Sequence, residues 1–248
     1  MTEAPNYGFN PNPEFTVNHI SEYLATDNAP QRTKIIRAAK FPKKVEVAAY
    51  SQIRRAVKAA MPKPMFDRVG MELLADSLAT KARRETGYPR DEALRCERAV
   101  RAFISTVQSR SFRRLNIHSP ASQLSLRQSG VRIKVTLDAA ITAESGDITN
   151  SGGIVLLYAF SADRGSEKER LQAISGLILW ALETGQMEPL PRLCMAVDLA
   201  AGEIIKASAS HARFRQHVSE SCDEVAARWV SIEPPDDYDG PDWRSISN

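Results

Sequence analysis

The sequence predicts an α/β protein in which a basic helical N-terminal region precedes a mixed sheet flanked by helices. Apolar residues recur at a helical spacing through the first 107 residues, and from Gln123 onward the spacing changes to two. The charges are divided as well, because residues 1–130 carry 22 Lys and Arg against 12 Asp and Glu, whereas residues 131–248 carry 11 against 18. A composition of 43% hydrophobic and 25% charged residues is that of an ordinary globular protein.

The N-terminal region begins with a Pro- and Asn-rich leader over residues 1–14, which we expect to be flexible. Thr16 or Asn18 can cap the first helix, and Phe41-Pro42 ends the second, because a residue before proline is pushed out of the α region. The third helix is amphipathic and basic. Five helices are predicted in this region, over residues 15–24, 30–40, 45–61, 66–84 and 90–107.

The change of period indicates a β-hairpin, with strands over 124–128 and 131–137 joined at Ser129-Gly130. Alternation along its second strand predicts that Arg132, Lys134 and Asp138 project from one face. Residues 144–153 are polar and end in Ser-Gly-Gly, which is typical of a loop. The apolar run over 154–160 then predicts a strand buried on both faces, and hence a three-stranded meander.

The remaining elements complete a core over residues 109–232, on which the helix over 90–107 is expected to pack. A helix is predicted over 166–183, a strand pair over 193–199 and 203–207, and a last helix over 210–230. Residues 233–248 form an acidic, proline-rich tail that we expect to be mobile and to favour solubility. The alternative is that this tail folds back over the basic half and competes with phosphate.

Several classes of protein lose support from the sequence. It contains neither a phosphate-binding GxxxxGK loop nor the GxGxxG, HExxH and GxSxG patterns. Cys96, Cys194 and Cys222 are scattered, so no disulfide framework is predicted, and the six-residue step between His211 and His217 predicts different sides of a helix. With neither a signal peptide nor a run long enough to span a membrane, we expect a cytoplasmic protein that does not bind membranes.

The predicted order of helix, three antiparallel strands, helix and strand resembles the core of the PD-(D/E)XK nuclease superfamily. In that superfamily an Asp on the second strand and a carboxylate-x-Lys on the third hold Mg²⁺, and Asp138 matches the Asp by position. The third strand has neither carboxylate nor lysine. The resemblance therefore implies Lys134 and Glu169 as displaced catalytic partners of Asp138, and Asp138 as a metal ligand only if the protein is an active nuclease.

The chain is also similar to a group of bacterial proteins of comparable length that are often linked to mobile elements. The resemblance rests on Phe15, Asn18, Glu22-Tyr-Leu24, Arg32, Ile35-Ile36, Lys40, Pro42, Gly130-Val131, Val135, Asp138, Gly153, Val197-Asp198, Cys222, Glu224 and Trp229. It implies a nuclease-like core behind a helical N-terminal region, and no activity that can be transferred.

The charge division makes nucleic acid, and DNA in particular, the expected partner, since phosphate contacts need only clustered cations on a stable frame. One cluster comprises Lys40, Lys43, Lys44, Arg54, Arg55 and Lys58; the other comprises Arg110, Arg113, Arg114, Arg127, Arg132 and Lys134. Phe112 beside the second cluster is a candidate for base stacking. The sequence thus predicts a nucleic-acid-binding protein that lacks a standard catalytic set and needs no cofactor. An active Mg²⁺-dependent nuclease and a protein-interaction module, docking through the tail or near Trp229, are the alternatives.

Overall fold

The computed structural model describes residues 6–43, 51–62, 66–108, 112, 115–145, 148–158 and 167–246. The predicted helices are present. Residues 45–50 of the third predicted helix lie outside the described residues, and the other bounds differ from the prediction by at most two residues. Thr16 caps the first helix by accepting a hydrogen bond from the His19 amide. The helices are α1 (Val17–Leu24), α2 (Ala29–Lys40), α3 (Ser51–Ala60), α4 (Arg68–Arg84), α5 (Tyr88–Val107), α6 (Glu167–Thr184), α7 (Ala212–Trp229) and the short α8 (Trp243–Ile246).

The strands form two sheets and confirm the α/β class. They are β1 (Glu14–Thr16), β2 (Asn116–His118), β3 (Leu124–Gln128), β4 (Val131–Val135), β5 (Ala139–Ser145), β6 (Ile148–Leu157), β7 (Pro189–Asp198) and β8 (Glu203–Lys206). The smaller sheet has the order β1-β4-β3 and the larger the order β2-β5-β6-β7-β8. The pairs β1/β4 and β6/β7 are parallel and the other pairs are antiparallel, so both sheets are mixed.

The larger sheet separates two buried cores. Alternate residues of β6 enter opposite cores, since Ile154 and Leu156 pack with α3, α4 and α5, whereas Val155 and Leu157 pack with α6. Helix α6 lies between this sheet and an outer layer that contains α1, α7 and the smaller sheet. None of the described helices combines the length and apolar character needed to cross a membrane.

The predicted hairpin is confirmed, but the predicted meander is wrong. Ser129 and Gly130 form the hairpin turn with φ angles of 50° and 78°. However, β4 pairs with β1 and β3 in the smaller sheet, while β6 pairs with β5, a strand that the sequence analysis did not predict. The residues predicted as a loop thus belong largely to β5 and β6.

The helical N-terminal region is not a separate unit. Strand β1 pairs with β4, and α1 and α2 share a core with α6 and α7, while α3, α4 and α5 cover the other face of the larger sheet. Helices and strands from both sides of the predicted boundary at residues 108/109 thus share the same two cores among the described residues.

The leader and the acidic tail, both predicted to be mobile, pack against each other where the structure describes them. Tyr7 is buried, and the Gly8 amide donates to the Pro42 carbonyl at 2.9 Å. The Asp239 carboxylate accepts hydrogen bonds from the backbone amides of Asn6 and Tyr7 at 2.9 and 3.1 Å. The tail consequently lies along the basic half of the chain, as in the alternative interpretation.

Candidate functional site

A concave basic cleft lies between α1 and α2 on one side and α3 on the other. Its volume is about 790 Å³, which is within the rough 300–1,000 Å³ range of ligand sites. None of the described residues lining the cleft is Asp or Glu. Its cationic side chains are Lys34, Arg37, Lys43 and Arg54, and the rest of the wall comes from Tyr7, Thr16, Asn18, His19, Ala38, Phe41, Pro42 and Pro235.

The cations of α2 reach the cleft because of their helical spacing. Lys34 and Arg37 are three residues apart and lie on one face of the helix. Ile35 and Ile36 are buried in the core on the other side, which fixes the rotation of α2. The sequence analysis did not single out Lys34 and Arg37, although their spacing opposite this apolar pair is visible in the sequence.

The cleft cations differ in the partners that they already have. Lys34 is exposed and has no ion pair within the described part of the chain. Arg37 Nε donates to the Glu233 carbonyl at 3.0 Å, and Lys43 Nζ lies 3.2 Å from Asp237 Oδ2. A polyanion entering the cleft would therefore meet one unpaired lysine and two cations with exposed, exchangeable partners.

Arg54 connects the cleft to a buried carboxylate. Arg54 Nε and Lys58 Nζ lie 3.8 and 3.7 Å from Asp138 Oδ1, and the Leu156 amide donates to Asp138 Oδ2 at 2.8 Å. Burial raises the pKa of Asp138, whereas the Leu156 N–H and the two cations act in the opposite direction. The guanidinium of Arg54 also lies over the Tyr158 ring, 5.0 Å from its centroid.

These contacts do not fit Asp138 as a Mg²⁺ ligand. Magnesium takes oxygen ligands, but the nearest charged groups to Asp138 are cations that already offset its charge. Among the described residues no group of three or more His, Cys, Asp and Glu side chains is placed to hold a metal. Asp138 instead ties α3 to the larger sheet.

The other two predicted catalytic residues lie in different surroundings. Lys134 forms a salt bridge with Glu14 in the smaller sheet, whereas Asp138 is held at the start of β5 in the larger sheet. The predicted common face of Lys134 and Asp138 is therefore wrong, because the chain passes from one sheet to the other between them. Glu169 on α6 lines a second cavity of about 460 Å³.

Both His211 and His217 also line that second cavity. His211 is the N-cap residue of α7, so only His217 lies within the helix. Thus the three predicted catalytic residues contact three separate parts of the molecule.

The basic clusters predicted from sequence are brought together only in part. Lys43 and Arg54 share the cleft, Lys58 faces Asp138, and Arg55 is exposed on α3. Lys40 is buried and does not line the cleft. Lys44, Arg110, Arg113 and Arg114 lie outside the described residues.

The cations of the hairpin do not join this cleft. Arg127 and Arg132 line another, of about 380 Å³, together with Glu14. Arg132 lies 3.6 Å from Glu14, which therefore faces both Arg132 and Lys134. The two clefts meet opposite ends of β1, because Glu14 lines one and Thr16 the other. Phe112, the stacking candidate, is buried in the core.

No protein-family model matches the chain, and no curated protein matches it. The function is therefore inferred from the shape and charge of the basic cleft.

Proposed function

We propose that the protein binds nucleic acid by holding the phosphate backbone in the basic cleft between α1, α2 and α3. The observation that carries this proposal is the convergence of Lys34, Arg37, Lys43 and Arg54 on one concavity. Contacts to phosphate dominate non-specific nucleic-acid affinity, and they need cations rather than a base-reading element.

The walls of the cleft favour recognition of backbone over recognition of bases. Tyr7 and Phe41 are both buried, so their rings offer no exposed face on which a base could stack. A flexible single strand can lay its phosphates along a concavity of about 790 Å³, whereas duplex DNA is a rigid rod. We therefore expect single-stranded DNA to bind more tightly than duplex, with little sequence preference.

The order of elements in the larger sheet supports a nuclease-like ancestry for the core as part of this proposal. Helix α5, the antiparallel run β2-β5-β6, helix α6 and the parallel strand β7 follow the order expected of a PD-(D/E)XK core, with β3 and β4 as an insertion. Asp138 precedes the second of these three strands. Strand β6 contains no acidic residue and no lysine, which favours binding without cleavage.

The test is the salt dependence of DNA binding, measured by fluorescence anisotropy with a labelled 20-nucleotide single strand. Replacing Lys34 by Gln removes an exposed cation that has no partner in the described structure. We expect weaker binding, and a slope of log K against log[salt] that is shallower by about 0.7, the contribution of one phosphate contact to a single strand.

Arg83→Gln is the matched control, because Arg83 is exposed on α4 and does not line the cleft. It should leave both the affinity and the slope close to those of the wild-type protein. A wild-type affinity that does not change with salt, or an equal loss in the two variants, would contradict the proposal.

A further inference from the structure

The acidic tail places one of its own carboxylates at the basic cleft. Asp237 Oδ1 accepts a hydrogen bond from the Tyr7 hydroxyl at 2.8 Å, and Asp237 Oδ2 lies 3.2 Å from Lys43 Nζ. Tyr7 and Lys43 both line the cleft. An anion thus already lies between a hydroxyl donor and an ammonium group, which is the arrangement that a phosphate oxygen also requires.

Other parts of the tail follow the same wall. Pro235 lines the cleft, and the Glu233 carbonyl accepts the hydrogen bond from Arg37 Nε. Oxygen atoms of the tail therefore contact two of the four cleft cations. The remaining two, Lys34 and Arg54, form no hydrogen bond or ion pair with the tail among the described residues.

The Asp237 contact is the exchangeable part of this arrangement. The side chains of Asp237 and Lys43 are 66% and 41% exposed, and an ion pair in such a position contributes little to stability. The tail is anchored independently on either side. Lys40 binds the carbonyls of Trp229 and Ile232 before it, and Asp239 accepts the Asn6 and Tyr7 amides after it. Asp237 can therefore leave Lys43 while the rest of the tail stays bound.

We propose that Tyr7 Oη and Lys43 Nζ form a phosphate subsite of the cleft, and that Asp237 occupies this subsite as an internal competitor of nucleic acid. The inference rests on the proposed function and adds its regulation. Binding exchanges one anion for another. The carboxylate of Asp237 moves into water, and the phosphate accepts the hydrogen bond from Tyr7 and replaces the carboxylate as the ion-pair partner of Lys43. The tail thereby weakens nucleic-acid binding and also disfavours the binding of anions that have a lower affinity for the subsite.

The experiment compares Asp237→Asn with Asp236→Asn in the full chain, using the same labelled single strand at low salt. Asp236 is adjacent and exposed, and it forms no ion pair within the described residues, so the two variants change the net charge equally. We expect D237N to bind about two- to fivefold more tightly than the wild type, the range for loss of one exposed ion pair. D236N should differ from the wild type by less than about 1.5-fold, because a solvated charge is screened.

Lys43→Gln should weaken binding and should reduce the effect of a second substitution at Asp237, since Asp237 then keeps only its hydrogen bond from Tyr7. Thermal unfolding of each variant shows whether the tail variants remain folded.

Failure of the two proposals can be told apart. Equal affinities for D237N and D236N, with K34Q still weakened, would overturn the competitor role and leave the cleft as the binding site. Loss of binding in every protein, D237N included, would overturn both proposals. Binding that appears only in D237N would support the subsite and show that the tail closes it in the wild type.

Discussion

Lys40 belongs to a basic cluster in the sequence but has a structural role in the protein. It is 2% exposed, and its ammonium group donates to the carbonyls of Trp229 and Ile232 at 2.8 and 2.9 Å and to that of Val230 at 3.4 Å. These carbonyls lie at the C-terminal end of α7 and just after it, where the helix dipole favours a cation. Trp243 covers the same ammonium group, 5.1 Å from its ring centroid. A lysine that satisfies three carbonyls cannot also contact phosphate.

Replacing Lys40 by Met should therefore destabilise the fold. The variant leaves buried carbonyls without their charged donor, and hydrogen bonds to charged groups contribute about 1.5–3 kcal/mol each, only part of which water would recover. We expect the free energy of unfolding in urea to fall by about 3 kcal/mol. Lys34→Met, at an exposed position of the same helix, should change it by less than about 0.5 kcal/mol. Equal midpoints for K40M and the wild type would contradict this role.

We expect His19 to make the free energy of unfolding depend on pH in the mildly acidic range. Burial lowers the pKa of His19 in the folded protein, and Arg170 acts in the same direction while Glu22 opposes it. As the pH falls, the His19 ring becomes protonated near pH 6.5 in the unfolded chain and only at a lower pH in the folded chain. The free energy of unfolding should therefore be constant above about pH 6.5 and should fall as the pH drops below it.

The variant His19→Gln isolates this contribution. Gln is common at this position of a capping box and can replace the ring as acceptor for the Thr16 amide. Urea unfolding between about pH 7.5 and 5.5 should show a decline for the wild type and a flatter profile for the variant, since carboxylates titrate mainly below this range. The same slope in both proteins would show that His19 is not responsible.

At the level of elements, the helices could be predicted because their apolar spacing and caps are local signals. Strand β5 was missed because its neighbour β6 contains Ser-Gly-Gly, which in sequence resembles a loop. The structure gives another reason for these glycines. A Cβ at Gly152 would lie 2.3 Å from Leu193 Cβ, and one at Gly153 would lie 2.7 Å from Leu137 Cδ1. The glycines mark close packing inside a strand, which depends on contacts distant in sequence.

The positive charge of the candidate site was the only one of its properties that could be predicted from the sequence. Clustered cations indicated an anionic partner, and Lys43 and Arg54 do meet in one cleft. The sequence could not show that Glu14 pairs with Lys134, because that contact depends on the parallel pairing of β1 and β4, 115 or more residues apart along the chain. Nor could it show that the tail returns to Lys43. Both are long-range contacts with no local pattern.

At the level of the whole molecule, the charge division is partly cancelled by packing. The basic half binds carboxylates of the acidic half at several places, among them Lys43 with Asp237, Arg32 with Glu224 and Arg54 with Asp138. The same contacts join the N-terminal helices to the rest of the fold. The charge asymmetry therefore contributes to the packing of the two halves of the chain against each other as well as to the positive potential of the cleft.

This packing predicts that the protein unfolds in a single cooperative transition. Trp180, Trp229 and Trp243 all pack against the core that contains α6, whereas the long helices α4 and α5 belong to the other core. Tryptophan fluorescence thus reports on the core of α6, whereas far-UV circular dichroism reports on helices on both sides of the larger sheet. Their urea transitions should coincide, because β6 supplies side chains to both cores.

Two substitutions in β6 test this coupling from either side. Leu156→Ala removes a side chain from the core of α4 and α5, and Val155→Ala removes one from the core of α6. The leucine change should cost about 2–5 kcal/mol and the smaller valine change less, yet each should move both transitions together. Midpoints of fluorescence and circular dichroism that separate from each other in either variant would mean that the two cores unfold independently and that the sheet does not transmit stability between them.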